Sequence, residues 1–133
     1  LSQSIDADKK GYYAAFAAAQ RSNEVTPWVK YFVTTILDAQ IQARRQVEFT
    51  LRKTRFFDLY KPRLNARQTK VLRRMLEEGP EGFQGGMTAQ KYTSIAGASK
   101  ATATRDLQDL AEMGVLLSQS GGRSTHYIVN FPE

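Results

Sequence analysis

The stretch SKATATRDLQDLAEMGVL, residues 99–116, decides the fold of the C-terminal half of this chain. Ser99 is a favourable N-cap, and Gly114 is a natural end point, so the stretch predicts one helix. Its apolar residues recur at the spacing of one helical face: Ala103, Leu107 and Leu110, with Ala111 beside them. The opposite face is small or polar: Ala101, Arg105, Gln108 and Asp109. This pattern predicts a helix that packs on one side and is free on the other.

The flanking segments place this helix third in a compact arrangement. Asn65 is predicted to cap a helix with the apolar stripe Val71, Leu72, Met75 and Leu76. Residues 87–88 predict a short strand or lead-in segment, and residues 89–96 predict a short helix with Tyr92, Ile95 and Ala96 inward. Residues 115–120 and 124–130 predict two strands joined at a glycine turn. Helix, helix–turn–helix and hairpin together predict a winged helix–turn–helix domain over residues 63–133.

The preceding residues predict helices alone. Ser4 is expected to cap a helix over residues 5–20, and Thr26 with Pro27 begins a second helix that reaches about Asp58. The second stripe is long for one globular helix, so a break or kink is considered over residues 50–55. The sequence YKPRLN ends it, because the residue before Pro62 resists helical geometry. The predicted fold class is therefore mainly α with a small β-hairpin, divided into residues 1–62 and 63–133.

Composition narrows the class of protein. The chain has 133 residues and a net charge of +6. It has no cysteine, and this absence excludes a disulfide scaffold and thiolate metal sites. No apolar run has the ~18 residues of a membrane helix, so we expect a cytoplasmic protein without a membrane partner. Because it begins with leucine, the chain is expected to be a piece of a longer protein.

Positive charge is concentrated in the first half and around the predicted boundary. Residues 1–64 hold 11 basic and 6 acidic side chains, whereas residues 65–133 hold 8 and 7. The basic excess over residues 44–74 is able to attract a phosphate backbone. A solvated helix face with a basic linker explains the same charges.

The free side of the residue 99–116 helix predicts contact with duplex DNA. The candidate residues are Ser99, Lys100, Thr102, Thr104, Arg105 and, at the hairpin turn, Arg123. Hydroxyl groups at a helix N-terminus bind phosphates or bases, and arginine is the best reader of guanine. Arg123 would reach a minor groove or a phosphate. The alternatives are that Ser99 and Thr102 only cap the helix and that Arg123 is an ordinary turn residue.

Acidic residues occupy the second half of the same helix: Asp106, Asp109 and Glu112. This half is expected to tilt away from the phosphates, with Arg73 or Arg74 considered as pairing partners.

Catalytic motifs are missing from the sequence. His126 is the single histidine, and its position in a predicted strand favours a structural role. The chain has no cysteine nucleophile, HExxH motif, glycine-rich phosphate loop or carboxylate cluster at metal spacing. We therefore expect no catalytic residue and no metal site in this chain itself.

A resemblance adds to this picture. The segments LSQSI, KKGYYAAFAAAQ and VTPWVKYFV, together with SKATATRDLQDLAEMGVL and GGRSTHYIVN, resemble the C-terminal part of bacterial Fic-family proteins (filamentation induced by cyclic AMP). The resemblance covers nearly the whole chain, and its most specific element is the Tyr-Tyr pair followed by Thr-Pro-Trp. It implies that residues 1–62 are the last helices of a Fic-type domain, followed by a winged helix.

The resemblance also implies an activity for the parent protein. Many Fic proteins transfer AMP from ATP to a hydroxyl group of a target protein, with a divalent cation, using a histidine base and a Gly-Asn-Gly-Arg anion cradle. This chain has no match to either element, and His126 cannot be matched to the base. By resemblance, Tyr13 and Gln20 would line the adenine side of the nucleotide pocket. The alternative is that Tyr13 and the neighbouring aromatics are core residues joining two helices.

Two further functions stay open. The chain is also compatible with a regulator that dimerises through the long helix and reads an operator. It is equally compatible with a winged helix that docks a protein partner or its own catalytic core.

Overall fold

A computed structural model describes residues 1–121 and 124–132 of the chain. It has six α-helices followed by a two-stranded antiparallel hairpin. The helices are α1 (Ser2–Ala7), α2 (Lys9–Arg21), α3 (Thr26–Tyr60), α4 (Ala66–Glu77), α5 (Ala89–Ala96) and α6 (Lys100–Glu112). A short 3-10 turn, Lys61–Arg63, joins α3 to α4. The strands are β1 (Leu116–Gly121) and β2 (Ser124–Val129), so the predicted fold class is confirmed.

The chain divides into two compact units inside α3: a first unit, Leu1–Val47, and a second unit, Glu48–Glu133. The division lies earlier than Pro62, where the sequence places its domain boundary. The physical reason is that Phe49 and Phe56, on the last turns of α3, are buried in the core of the second unit. These turns therefore belong to the second unit although they continue the helix of the first.

The first unit is held together by aromatic packing between α2 and α3. The ring of Trp28 lies 5.6 Å from that of Tyr12 and 5.6 Å from that of Phe16, edge to face in both cases. Such pairs add to the stability that area burial provides. No apolar side chain of α1 or α2 is fully buried, so this unit has contacts between helices but little enclosed core.

Two expectations for the helices before Pro62 differ from the structure. The helix expected over residues 5–20 is interrupted at Asp8, which ends α1 and caps α2 by accepting a hydrogen bond from the Gly11 amide at 3.0 Å. The Asp8 carboxylate binds a backbone amide and so begins a new helix. Ser4 lies within α1 and is not a cap. The long helix has no break over residues 50–55, since α3 is continuous to Tyr60.

The second unit has an enclosed apolar core. Its largest fully buried side chains come from α3, α4, α5, α6, β1 and the loops beside them: Phe56, Leu72, Met75, Met87, Tyr92, Leu107, Leu110 and Leu116. The predicted inward face of α6 is confirmed, because Ala103, Leu107 and Leu110 are all buried.

Side-chain caps set the helix boundaries of the second unit. Asn65 accepts a hydrogen bond from the Gln68 amide, and the Gln68 side chain accepts one from the Asn65 amide, forming a capping box. Thr88 caps α5 with a single hydrogen bond, which its hydroxyl accepts from the Lys91 amide. The predicted starts of α4 and α5 are therefore confirmed.

The hairpin is fixed to the helices at its base. The register pairs Leu116 with Val129, and the side-chain amide of Asn130 donates to the carbonyl of Gly114 at 2.9 Å. Met87 and Tyr127 exchange two backbone hydrogen bonds of 2.8 Å, so the segment before α5 adds a bridge to β2. The predicted lead-in segment thus forms a single β-bridge. This bridge and the Asn130 contact hold the base of the hairpin against the helices.

Candidate nucleic-acid interface

The N-terminus of α6 is built by a tight turn and a side-chain cap. Gly97 adopts φ +68°, a left-handed conformation that glycine tolerates best, and this turn reverses the chain between α5 and α6. The Ser99 hydroxyl accepts a hydrogen bond from the Thr102 amide at 3.2 Å and lies 3.0 Å from the Thr102 hydroxyl. Both hydroxyl groups are therefore engaged in capping. Their part in DNA binding stays a prediction.

The charged candidates on α6 are accessible. Lys100 and Arg105 are exposed, and neither side chain has a hydrogen-bond or ion-pair partner among residues 1–121 and 124–132. Thr104 is exposed too, and its hydroxyl donates to the Lys100 carbonyl at 2.9 Å. Its oxygen consequently remains available as an acceptor. The N-terminal half of α6 therefore presents two free cations and one hydroxyl acceptor.

A buried carboxylate lies directly behind this surface. Asp106 is only 3% exposed and accepts hydrogen bonds from three residues. The Arg67 Nε donates at 2.9 Å, the Tyr92 hydroxyl at 2.7 Å and the Asn65 side-chain amide at 3.5 Å. Asp106 thus ties α6 to α5 and to the start of α4, and it fixes how α6 is presented.

The pKa shifts follow from this arrangement. Burial alone raises the pKa of Asp106, but hydrogen bonds from Arg67, Tyr92 and Asn65, with the Arg67 charge, outweigh it and hold the pKa below its usual value. Burial, and then the hydrogen bond to Asp106, raises the pKa of Tyr92 well above its usual range. The same contact raises the pKa of Arg67. At neutral pH the group is a carboxylate held by a guanidinium and a neutral phenol.

This cluster was missed by sequence reasoning, which assigned Asp106 to an outward acidic half and considered Arg73 or Arg74 as partners. That assignment is wrong for Asp106, because Arg67 is its partner and Arg74 pairs with Glu78. A signal was present: Asp106 falls three residues after Ala103 and four before Leu110, within the inward stripe. Asp109 and Glu112 are exposed as predicted.

One predicted DNA-binding residue, Arg123, lies outside the described residues. On the described part of the strands, the His126 Nε2 lies 3.2 Å from the Gln119 Oε1, its cross-strand neighbour. The ring also sits against Gly86, where an added Cβ would lie 2.7 Å from the His126 Cδ2. His126 therefore has packing and hydrogen-bond contacts of a structural kind.

The two nucleotide candidates lie on α2. Tyr13 is 65% exposed and Gln20 is also exposed. A spacing of seven residues places them about 10 Å apart on one helical face. Tyr12, Phe16 and Trp28 form the packing between α2 and α3, whereas Tyr13 touches only the edge of the Tyr12 ring within this aromatic group. The alternative of a structural core role therefore describes Tyr12, Phe16 and Trp28, whereas it describes the exposed Tyr13 less well.

The described residues form neither a metal cluster nor a membrane-spanning helix. Residues 1–121 and 124–132 contain no cluster of three or more histidine, cysteine or acidic side chains placed to hold an ion. In those ranges, no helix combines the length and apolar character needed to cross a bilayer. No family model and no curated protein matches the chain.

Proposed function

We propose that this chain is the C-terminal part of a Fic-type protein and that its second unit binds duplex DNA through the N-terminal half of α6. One observation carries the DNA part of the proposal. The exposed side chains of Lys100 and Arg105 have no partner among the described residues, and buried Asp106 on the same helix fixes α6 to its neighbours. A reading helix places its N-terminal residues against the DNA and takes a fixed orientation from its packed side. Both requirements meet on α6.

The charge of the second unit supports this proposal. Counted from Glu48, the unit has 13 basic and 9 acidic side chains, a larger excess than residues 65–133 alone. The charge of Asp106 is already matched by Arg67. The exposed acids of α6, Asp109 and Glu112, lie in its second half. Phosphates are therefore attracted to the first half, where the helix dipole is also positive.

The test is salt-dependent binding of the full chain to labelled duplex DNA, followed by fluorescence anisotropy. Replacing Arg105 with alanine is expected to weaken binding by about tenfold, the low end of a bidentate base contact. Lys100→Ala is expected to weaken all sequences alike and to lower the salt slope by about 1. The matched control is Arg45→Ala, which removes one exposed arginine from α3 in the first unit. Equal affinities for the Arg105 and Arg45 variants would remove the proposal.

The Fic part of the proposal is supported by the first unit. The first half of α3 exposes large apolar side chains that a self-sufficient domain would bury: Val29, Phe32, Val33, Leu37 and Ile41. An exposed apolar face of this extent is typical of a surface that packs on more protein. The remainder of a Fic-type domain would supply that cover. The same face would serve the alternative, a dimeric regulator.

We further propose that the parent protein acts in the cytoplasm, using ATP and a divalent cation to modify a protein hydroxyl group. The ring of Tyr13 is suited to stack on adenine, and the carboxamide of Gln20 to bond its edge. Phosphate and cation binding would have to come from residues outside this chain. Reading the coding sequence upstream of Leu1 tests this directly, since an upstream region without a histidine base and anion cradle removes the enzymatic proposal.

Sedimentation separates the two uses of the α3 face. A chain that is dimeric at micromolar concentration, and becomes monomeric when Val33 is replaced with glutamate, favours the dimeric regulator. A winged helix that only docks protein would show no salt-sensitive DNA binding, and the Arg105 variant would leave its protein contact unchanged.

A further inference from the structure

A groove with cationic walls and an apolar floor runs along α4, on side chains that the DNA proposal does not use. It has a volume of about 610 Å³. Its walls carry Lys61, Lys70 and Arg73, and its floor includes Leu64 and Ile95. No residue of α6 lines it. We call it the α4 groove, and from its chemistry we propose that it binds an acidic amphipathic helix of a partner protein.

The cations of the α4 groove are not used inside the domain. Lys61, Lys70 and Arg73 are exposed, and none of their side chains has an ion-pair or hydrogen-bond partner in the ranges 1–121 and 124–132. Arg74 differs, because it pairs with Glu78 and lies over the Phe83 ring. Three free positive charges, one just before α4 and two along its middle, select an anionic ligand.

The floor decides between an acidic protein segment and a nucleic acid. Leu64 and Ile95 are half-buried, so each packs against the core on one side and contributes to the groove on the other. A phosphate backbone makes no use of an apolar floor, whereas an amphipathic helix inserts leucine or phenylalanine side chains into one. Charge complementarity at the walls and apolar contact at the floor therefore favour the helix.

The length and polarity of the groove fix the probe. Ala66 and Glu77 mark its two ends along α4. The eleven helical steps between these residues span about 16 Å, or three turns. Lys70 and Arg73 lie between these ends, while Glu77 is the one acidic wall residue of the described groove. A partner helix of about three turns would thus carry its acidic residues opposite Lys61, Lys70 and Arg73. Glu77 would disfavour acids at its own end of the groove.

The experiment measures anisotropy of labelled helical peptides of ~16 residues against the full chain. The first peptide carries leucines on one face flanked by glutamates. In the second, lysines replace the glutamates, and in the third, serines replace the leucines. The first is expected to bind at least about tenfold more tightly than either of the others. Equal binding of the first and third would show that the floor is unused and would overturn the proposal.

Variants of the chain complete the test. Lys70→Gln combined with Arg73→Gln, both exposed, is expected to weaken the first peptide at least about tenfold while weakening DNA binding less than Arg105→Ala does. Arg105→Ala is expected to do the reverse, so this inference and the DNA proposal fail independently. An unchanged peptide affinity in the double variant would overturn the inference. A loss of DNA affinity in the double variant equal to that of Arg105→Ala would also overturn it and would assign the groove to nucleic acid. A loss of self-association would overturn it too and would assign the groove to a second copy of this chain.

Discussion

Replacing Asp106 with alanine is expected to destabilise the second unit more than any other change of a charged residue on α6. The Tyr92 hydroxyl, 2.7 Å from Asp106, would be left buried without its acceptor. A hydrogen bond to a charged group contributes about 1.5–3 kcal/mol, and an orphaned buried donor costs a similar amount. The Arg67 contact adds little, because its side chain is 47% exposed and screened by water. We therefore expect a loss of about 2–3 kcal/mol in the free energy of unfolding.

The assay is guanidinium unfolding followed through amide NMR signals of α4, α5 and α6, because the single tryptophan, Trp28, lies in the first unit. The matched control is Asp109→Ala, which removes an exposed carboxylate one turn further along α6 and is expected to change stability by less than about 0.5 kcal/mol. If the two variants unfold with the same free energy, Asp106 does not hold the helices together and the reasoning is refuted.

Acid titration supplies a second readout of the same group. The folded-state pKa of Asp106 lies below the unfolded value of about 3.9, so its contribution is complete above that pH and is lost as the pH falls through the folded pKa. Asp106→Asn removes the titrating group but keeps an acceptor for Tyr92. Its free energy of unfolding is expected to fall less steeply than that of the wild type below about pH 4. Parallel acid profiles would contradict the assigned pKa direction.

Three further changes test other parts of the second unit. Because the pKa of Tyr92 is raised, its contribution is present below about pH 10 and is lost as the pH rises toward the folded value; Tyr92→Phe should therefore reduce the alkaline loss of stability, and an unchanged alkaline profile in CD melts would count against it. Gly86→Ala should destabilise by about 1–3 kcal/mol in urea unfolding, since φ is +64° and the new Cβ would meet His126; a neutral result would show that the corner relaxes. Leu107→Ala should lower the free energy of unfolding by about 2–5 kcal/mol through loss of core packing, and a loss under about 1 kcal/mol would place this side chain outside a tight core.

The elements that the sequence predicted well are those whose determinants lie within a few residues. Asn65 and Ser99 cap their helices through amides three residues later, and such hydrogen bonds are encoded by the local order of residues. The apolar stripe of α6 is confirmed for the same reason, because helical periodicity assigns a face without knowledge of what covers it. The interruption at Asp8 was missed although it is also local, since either Ser4 or Asp8 is a chemically acceptable cap.

The candidate surface shows the same division. The exposure of Arg105 follows from its position opposite the apolar stripe, so it could be predicted, whereas Thr104 lies on the flank of that stripe and Lys100 is the first residue of the helix. The α4 groove could not, because Ile95 of α5 and Lys61 before α4 become neighbours only when the helices pack. The basic run around residues 44–74 gave the charge but not the concave floor beside it.

By itself, the sequence determined α4, α5 and α6, the caps at Asn65 and Ser99, the hairpin and the outward position of Arg105, because each of these depends mainly on neighbours close in the chain. The tertiary structure alone decided the partner of Asp106, an arginine 39 residues earlier in the chain, and the place of the last turns of α3 in the second core. A buried charge has to find its counter-charge in space, and residue order does not state that distance. Which arginine neutralises Asp106 therefore depended on how α4, α5 and α6 pack together.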